Sequence, residues 1–425
     1  MAPRLRLGAM NDVARSRLPI SLVVGIVFIG FILRGPIVAV APITGVISGD
    51  LSLSAAQAGL LTTLPVLCFA LMTPFASLFV GKAGANFATT IAIIGVGIGS
   101  IVRSSGGVEA TIAGTIIMGA FITIGNVVIP VIIRRDISPG RVGIVTGAYT
   151  SSLNVGSMVT TIATVPLAAA FGWRGALFAW LGFVVLAAVA WVVAIGPRRA
   201  LRWGPVKPSL ETGAVDTVAI DTRGIPLIAN EPRTWRNLSA VFLALAFGAQ
   251  AFSYYGLTAW FPSILEQELG YTAGEAGTSS SIFQIAAVVG ALGVPLLSKR
   301  IGIPKTFAVV SALWIAFPVG MIVAPGSWFV WGFLGGVAQG GGITIVFMLV
   351  VQLALTGTHA RRLSAMVQGV GYALGATAPS LIGAVHDATS AWTLPIAVVL
   401  VSTLVFTGCG LAGALRATRA RPLGR

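Results

Sequence analysis

The sequence predicts an all-α polytopic membrane protein of twelve transmembrane helices in two pseudo-symmetric six-helix bundles. Three observations lead there. Of the 425 residues, 56% are hydrophobic and only 9% charged, against the roughly 25% charged residues of soluble proteins, and mean hydropathy is +0.95. Runs of about 20 or more apolar residues, each long enough to span a bilayer as a helix, recur along the chain. They also fall into two blocks of nearly equal length, 18–196 and 237–416, the pattern of a transporter built from repeats. A β-barrel would show short alternating segments instead.

The elements follow in order. A basic N-tail, residues 1–17 with Arg4, Arg6, Arg15 and Arg17, precedes an apolar run that extends to Ser48. That run is too long for the core of a cleaved signal peptide, so it is a retained first helix. Spans lie at 18–48, 54–81, 86–104, 108–133, 142–170 and 173–196. A polar tether, 197–236, carries five prolines and mixed charge. Six more spans follow at 237–265, 273–298, 306–324, 328–355, 364–386 and 391–416, then a C-tail, 417–425. Cys68 and Cys409 fall inside spans as buried free thiols. GVGIG, Gly95 to Gly99, lies mid-span with no strand before it, so it serves helix packing and not nucleotide binding.

An even number of spans puts both termini on one side. Of the 27 Lys and Arg residues, 24 lie in the tails and loops of that side, and only Arg103 and Arg174 fall on the other. The positive-inside rule makes the first side cytoplasmic, and the expected location is the inner membrane of a bacterium. The net charge of +15 is thus a topology signal and a contact with anionic lipid, with no nucleic-acid partner.

Arg34 is the one basic residue left over. It sits in FIGFILRGPIVAVAPI, Phe28 to Ile43, too deep to snorkel, where an arginine costs about 2.5–3.5 kcal/mol. Its helical neighbours Gly30, Ile37, Val38 and Ala41 cannot pair with it, and all twelve acidic residues, with His359 and His386, fall in tails or loops. Pro36 and Pro42 remove the hydrogen bonds to the carbonyls of Ile32 and Val38, and irregular backbone at this depth is tolerated where it faces a cavity. Arg34 therefore serves either as a packing residue held by carbonyls and aromatic faces or as a cavity residue that attracts an anionic or strongly polar ligand. The lack of a buried carboxylate favours the second.

Other polar groups lie within spans: Thr123 and Asn126 just before Pro130, Tyr149 and Asn154, Gln250 and Tyr254, Gln284, Gln339 within GGVAQGGG, and Gln368 and Tyr372. Gln250 with Tyr254, and Gln368 with Tyr372, are spaced i,i+4 and share a face. Each buried amide needs a bond, either to another helix or to a ligand. Spans 1, 4, 7 and 10 each carry a deep polar group, which favours a shared cavity. No nucleophile–base set, metal-ligand cluster, carboxylate pair or cofactor motif is present, so the chain is read as no enzyme and as needing no cofactor or metal.

Twelve helices in two halves with a central polar segment resemble the major facilitator superfamily. The local words resemble its cyanate permease and 2-nitroimidazole transporter branch. They are LRGP (33–36), GLLTTLPVLCF (59–69), GNVVIPVIIRRD (125–136), GAYTSSLN (147–154), YYGLTAWFP (254–262), QGVGYALGATAP (368–379) and HDATSAW (386–392). The resemblance implies alternating access around a midplane site, an Arg closely followed by Pro in the first helix (Arg34 and Pro36), and an AWxP ending to span 7 (Ala259, Trp260, Pro262). The acidic-basic signature between spans 2 and 3 is reduced to GKAG (81–84). Its counterpart SKRIG (298–302) has Ser298 where an Asp is common, so the resemblance supplies no gating charge pair here.

The expected function is secondary active transport of a small polar or anionic solute by a functional monomer. Arg34 is the anion-binding group. Asn126, Tyr149, Asn154, Gln250, Tyr254, Gln284, Gln339, Gln368 and Tyr372 are candidate substrate contacts. Pro36, Pro42, Pro130, Pro262 and Pro379 are candidate helix breaks or gates. The missing buried proton carrier favours exchange, anion export, or a substrate that brings its own proton. Efflux of drug-like or heteroaromatic compounds is the alternative, and a transporter-like sensor or scaffold is the non-transport reading.

Overall fold

The computed structural model describes residues 19–53, 55–204, 234–354 and 356–419. The expected N-tail, most of the tether (205–233) and residues 420–425 lie outside the described residues. Among the described residues twelve long helices carry the fold: α1 Ile20–Val38, α2 Ala55–Ala83, α3 Ala85–Ser105, α4 Val108–Asp136, α5 Val142–Ala179, α6 Leu181–Ile195, α7 Leu238–Leu269, α8 Ala273–Ile301, α9 Ile303–Val323, α10 Trp328–Leu353, α11 Gly357–Thr389 and α12 Thr393–Arg419. A helix satisfies its own backbone polar groups, which is what apolar segments in a bilayer require.

The termini of these helices follow from local chemistry. Asn237 accepts the Ser239 amide at the start of α7. Thr272 and Glu275 form a reciprocal capping box on α8. Thr356 accepts the His359 amide at the start of α11. Between α2 and α3 the chain turns at Gly84 (φ 81°), and between α8 and α9 at Gly302 (φ 82°). Both are left-handed positions that favour glycine, and they end the two reduced signatures GKAG and SKRIG at equivalent places in the two halves. The long α5 contains a break at Gly172 (φ 70°), which separates the fifth span from the start of the sixth.

The packing repeats between halves. α1 lies against α5 and α6, as α7 lies against α11 and α12; α4 lies against α2 and α3, as α10 lies against α8 and α9. The halves meet chiefly through α2 with α11 and α5 with α8. Outward faces carry exposed aliphatic stripes at helical spacing, such as Ile94, Ile98 and Ile101 on α3 and Val185, Val189 and Val193 on α6, the surface a lipid environment covers.

The twelve expected helices are present among the described residues, and the local expectations for the start of α11, His359 and Arg103 are corrected by the structure. Among the described residues ten segments are long and apolar enough to cross a membrane; one of them, Pro139–Ile195, holds both α5 and α6, and α11 is not among them. α11 begins at Gly357, seven residues before the expected 364. Hydropathy stops at Arg361 and Arg362, whereas the helix runs on to its Thr356 cap. His359, expected in a loop, is buried inside that first turn. Arg103, expected on the outer side at the end of the third span, is fully buried, so Arg34 is not the only guanidinium inside the helix bundle. Arg174 does lie exposed, two residues past the Gly172 break, paired with Asp50 at 2.8 Å.

Candidate functional site

A small, partly open cavity lies between the halves. α1 supplies Leu33 and Arg34, α4 supplies Asn126, α5 Leu153 and Asn154, α7 Phe247, Gln250, Ala251, Tyr254 and Tyr255, α10 Ile343 and Phe347, and α11 Tyr372. The local structure of α1 explains how its arginine is presented. Pro36 has no N–H to give Ile32, and the helix ends at Val38 with the Ala39 amide bonded to the Gly35 carbonyl. Pro42 opens a single 3-10 turn, Ala41–Ile43, and a new short helix, Thr44–Leu51, follows. Arg34 thus lies one turn before a break.

The guanidinium is held by tyrosines. Arg34 Nη1 donates to the Tyr255 hydroxyl at 3.2 Å. Its Cζ lies 4.7 Å from the Tyr254 ring centroid and 5.6 Å from that of Tyr255, within cation–π range. The two rings meet edge to face at 5.1 Å, making a corner around the charge. Gln284 Nε2 donates to the Tyr254 hydroxyl at 3.1 Å and fixes that ring from behind. No Asp or Glu lines the cavity, so the positive charge faces the space uncompensated.

Of the expected contacts, Arg34, Asn126, Asn154, Gln250, Tyr254 and Tyr372 line the cavity. Tyr149 does not; it is buried behind Phe347, ring centroids 6.3 Å apart. Gln284, Gln339 and Gln368 also lie outside the lining. The Gln339 carbonyl accepts from Gln250 Nε2 at 3.0 Å, and Gln250 Oε1 has no partner among the described residues. Gln368 Nε2 donates to the Asn126 carbonyl at 3.0 Å, tying α11 to α4.

Of the five prolines, only Pro36 and Pro42 flank an interruption. Pro130, Pro262 and Pro379 lie inside continuous helices; a proline frees one carbonyl but need not break a helix that its neighbours hold. The Pro379 carbonyl accepts from Trp260 Nε1 at 2.8 Å, which binds the expected AWxP segment to α11.

Tyr255 was not an expected contact, although its adjacency to Tyr254 in YYGLTAWFP was a signal. The apolar lining residues Phe247, Ile343 and Phe347 carry no signal in a chain this hydrophobic.

The Major Facilitator Superfamily profile matches residues 21–379. This chain belongs to the major facilitator superfamily. A 2-nitroimidazole transporter of Escherichia coli (strain K12) is 31% identical over 394 residues, covering 92% of this chain and 95% of that protein. An uncharacterized transporter of Bacillus subtilis (strain 168), YycB, is 30% identical over 402 residues, with 93% of each chain covered. Among solved structures, the proton:xylose symporter XylE superposes with a TM-score of 0.71 at 14% identity, over 95% of this chain and 96% of that one, a likeness of fold alone.

In this superfamily member the two halves are joined on the basic-loop side of Arg34. The hydroxyls of Thr150 and Thr344 are 2.5 Å apart. Arg134 Nε donates to the Ala354 carbonyl, the C-cap of α10, at 3.1 Å, and Arg361 donates to the Ser77 carbonyl on α2. Arg361 also lies against Gly81, the first residue of the reduced signature GKAG, where a Cβ would lie 2.6 Å from its Cζ.

Proposed function

We propose that this superfamily member is a secondary transporter that binds a small anionic or strongly polar solute at Arg34 and exposes it alternately to the two sides of a bacterial inner membrane. The basic-loop side, with both termini, is cytoplasmic by the positive-inside rule. The observation that carries the reading is the Arg34 guanidinium in a cavity whose lining contains no carboxylate. A buried cation without an anionic partner leaves that role to a ligand. Gln250 and Asn154 line the same cavity and supply orienting amides. The arrangement seen, joined on the basic-loop side, suits entry from the opposite side. The test is uptake into proteoliposomes of radiolabelled cyanate and 2-nitroimidazole, with and without internal counter-substrate. Arg34→Ala protein that is folded and inserted must lose uptake, and undiminished uptake refutes the anion site.

A second reading, efflux of planar heteroaromatic compounds, is favoured by the aromatic walls. Tyr372 lies 4.9 Å from Phe69 and 5.5 Å from Phe247, which packs on Phe347 at 5.6 Å, and such faces stack on flat rings. The named specificity of the Escherichia coli relative agrees with it. A resistance assay in a strain lacking its own efflux systems separates this from small-anion transport.

A further inference from the structure

Arg103 on α3 is among the largest fully buried side chains. Its Nη1 donates to the Pro36 carbonyl at 2.7 Å, while its Nε and Nη2 have no hydrogen-bond partner among the described residues. The accepting carbonyl sits at the end of α1, where prolines 36 and 42 interrupt the ladder, and it belongs to the residue two positions after Arg34. The backbone of Arg103 is itself pinned: a Cβ at Gly114 would lie 2.2 Å from the Arg103 amide nitrogen, so α4 sets the depth at which α3 presents this side chain. Thr111 Oγ1 donates to the Arg103 carbonyl at 3.3 Å. Beyond the break, Ala39, Val40, Ile43 and Ile47 pack with Leu61, Trp173, Leu177 and Trp180 in a small core separate from the main one. The break is therefore a joint between two packing units, and Arg103 is the side chain that grips it.

We propose that Arg103 is a positioning residue for the substrate site: by holding the Pro36 carbonyl it fixes the broken end of α1 and so the aim of the Arg34 guanidinium at Tyr254 and Tyr255. The inference rests on the reading of Arg34 as the ligand-binding charge. Its test needs no substrate, so the two can fail separately.

Hydrogen–deuterium exchange on the purified full chain reads the joint, and mass-spectrometric mapping of phenylglyoxal labelling reads Arg34. In Arg103→Met, amides of residues 37–41 and 43 exchange about tenfold faster, the scale set by losing one charge-assisted bond. Peptides from α4 and α8 stay unchanged, and Arg34 labels several-fold faster as its guanidinium leaves the tyrosine corner. Arg103→Lys, which keeps a donor for the carbonyl, restores both readouts most of the way. Where Arg103→Met does not fold, Arg103→Gln, neutral and too short to reach, takes its place. Unchanged exchange at 37–43, or unchanged Arg34 labelling despite faster exchange, overturns the proposal. So does a uniform rise across all helices, which marks a purely structural residue. Loss of transport in Arg34→Ala bears on the site alone and leaves these readouts untouched.

Discussion

Arg34 on α1 and Tyr255 on α7 are joined by a 3.2 Å hydrogen bond that crosses from one six-helix half to the other. They are 221 residues apart in the chain. Arg34 lies one turn before the end of α1 and Tyr255 near the middle of α7, so the first helices of the two halves meet at the cavity. A charge that insertion makes costly is thereby given a hydroxyl and two aromatic faces in place of a counter-ion.

The energetic link between these two residues is measurable. Tyr255→Phe removes the hydroxyl and keeps the ring, and it lowers stability by about 1–2 kcal/mol. A double-mutant cycle with Arg34→Met gives a coupling of about 0.5–3 kcal/mol, read from thermal melts of the purified variants. Strict additivity would show that the bond contributes nothing.

Charge geometry at the cavity is tested by two substitutions. Arg34→Lys keeps the charge but loses the planar fork that matches oxyanions, so transport falls nearly as far as in Arg34→Ala. Gln250→Glu puts a carboxylate into the same lining and neutralises Arg34 from within. Anion affinity then falls by roughly tenfold or more, about 1.4 kcal/mol, measured as loss of ligand-induced thermal stabilisation.

Closure on the basic-loop side is open to cross-linking. In a background where Cys68 and Cys409 are replaced by Ala, paired cysteines at Thr150 and Thr344 form a disulfide on mild oxidation, because those side chains already touch. The cross-link arrests transport, and reduction restores it. Arg134→Ala and Arg361→Ala each slow cross-linking, since their bonds to Ala354 and Ser77 hold the halves together. Equal rates in the parent and the variants would rule out that holding role.

The seam between α8 and α10 gives a packing test. A Cβ at Gly340 would lie 1.8 Å from the Ala287 carbonyl oxygen, whereas one at Gly293 meets nothing within 4 Å. Gly340→Ala destabilises by about 1–3 kcal/mol through overpacking, and Gly293→Ala is close to neutral. Melting curves and the yield of monodisperse protein compare the two.

Much of this was legible in the sequence. Apolar runs located the helices, because length and hydropathy alone decide which segments lipid accepts. Arg34 stood out because its charge is anomalous in such a run. α11 was cut short because hydropathy senses polarity and not hydrogen bonding, and Arg361 and Arg362 ended the apolar run before Thr356 ended the helix. Arg103 reads as an outer-side residue because it lies near a span end; its partner, the Pro36 carbonyl, is 67 residues away in sequence.

The sequence by itself determined that twelve helices form in two matching sets and that one deep guanidinium has no carboxylate at its level, since composition, spacing and charge are properties of single segments. Only the tertiary structure decided that Tyr255 meets Arg34, that Gln339 and Gln368 lie outside the cavity lining while Phe247 and Phe347 join it, and that Arg103 grips the break in α1. The physical reason is one of direction and distance. In a chain apolar on nearly every face, periodicity does not say which side of a helix meets its neighbour, so the partners of each polar group are fixed only when the helices pack.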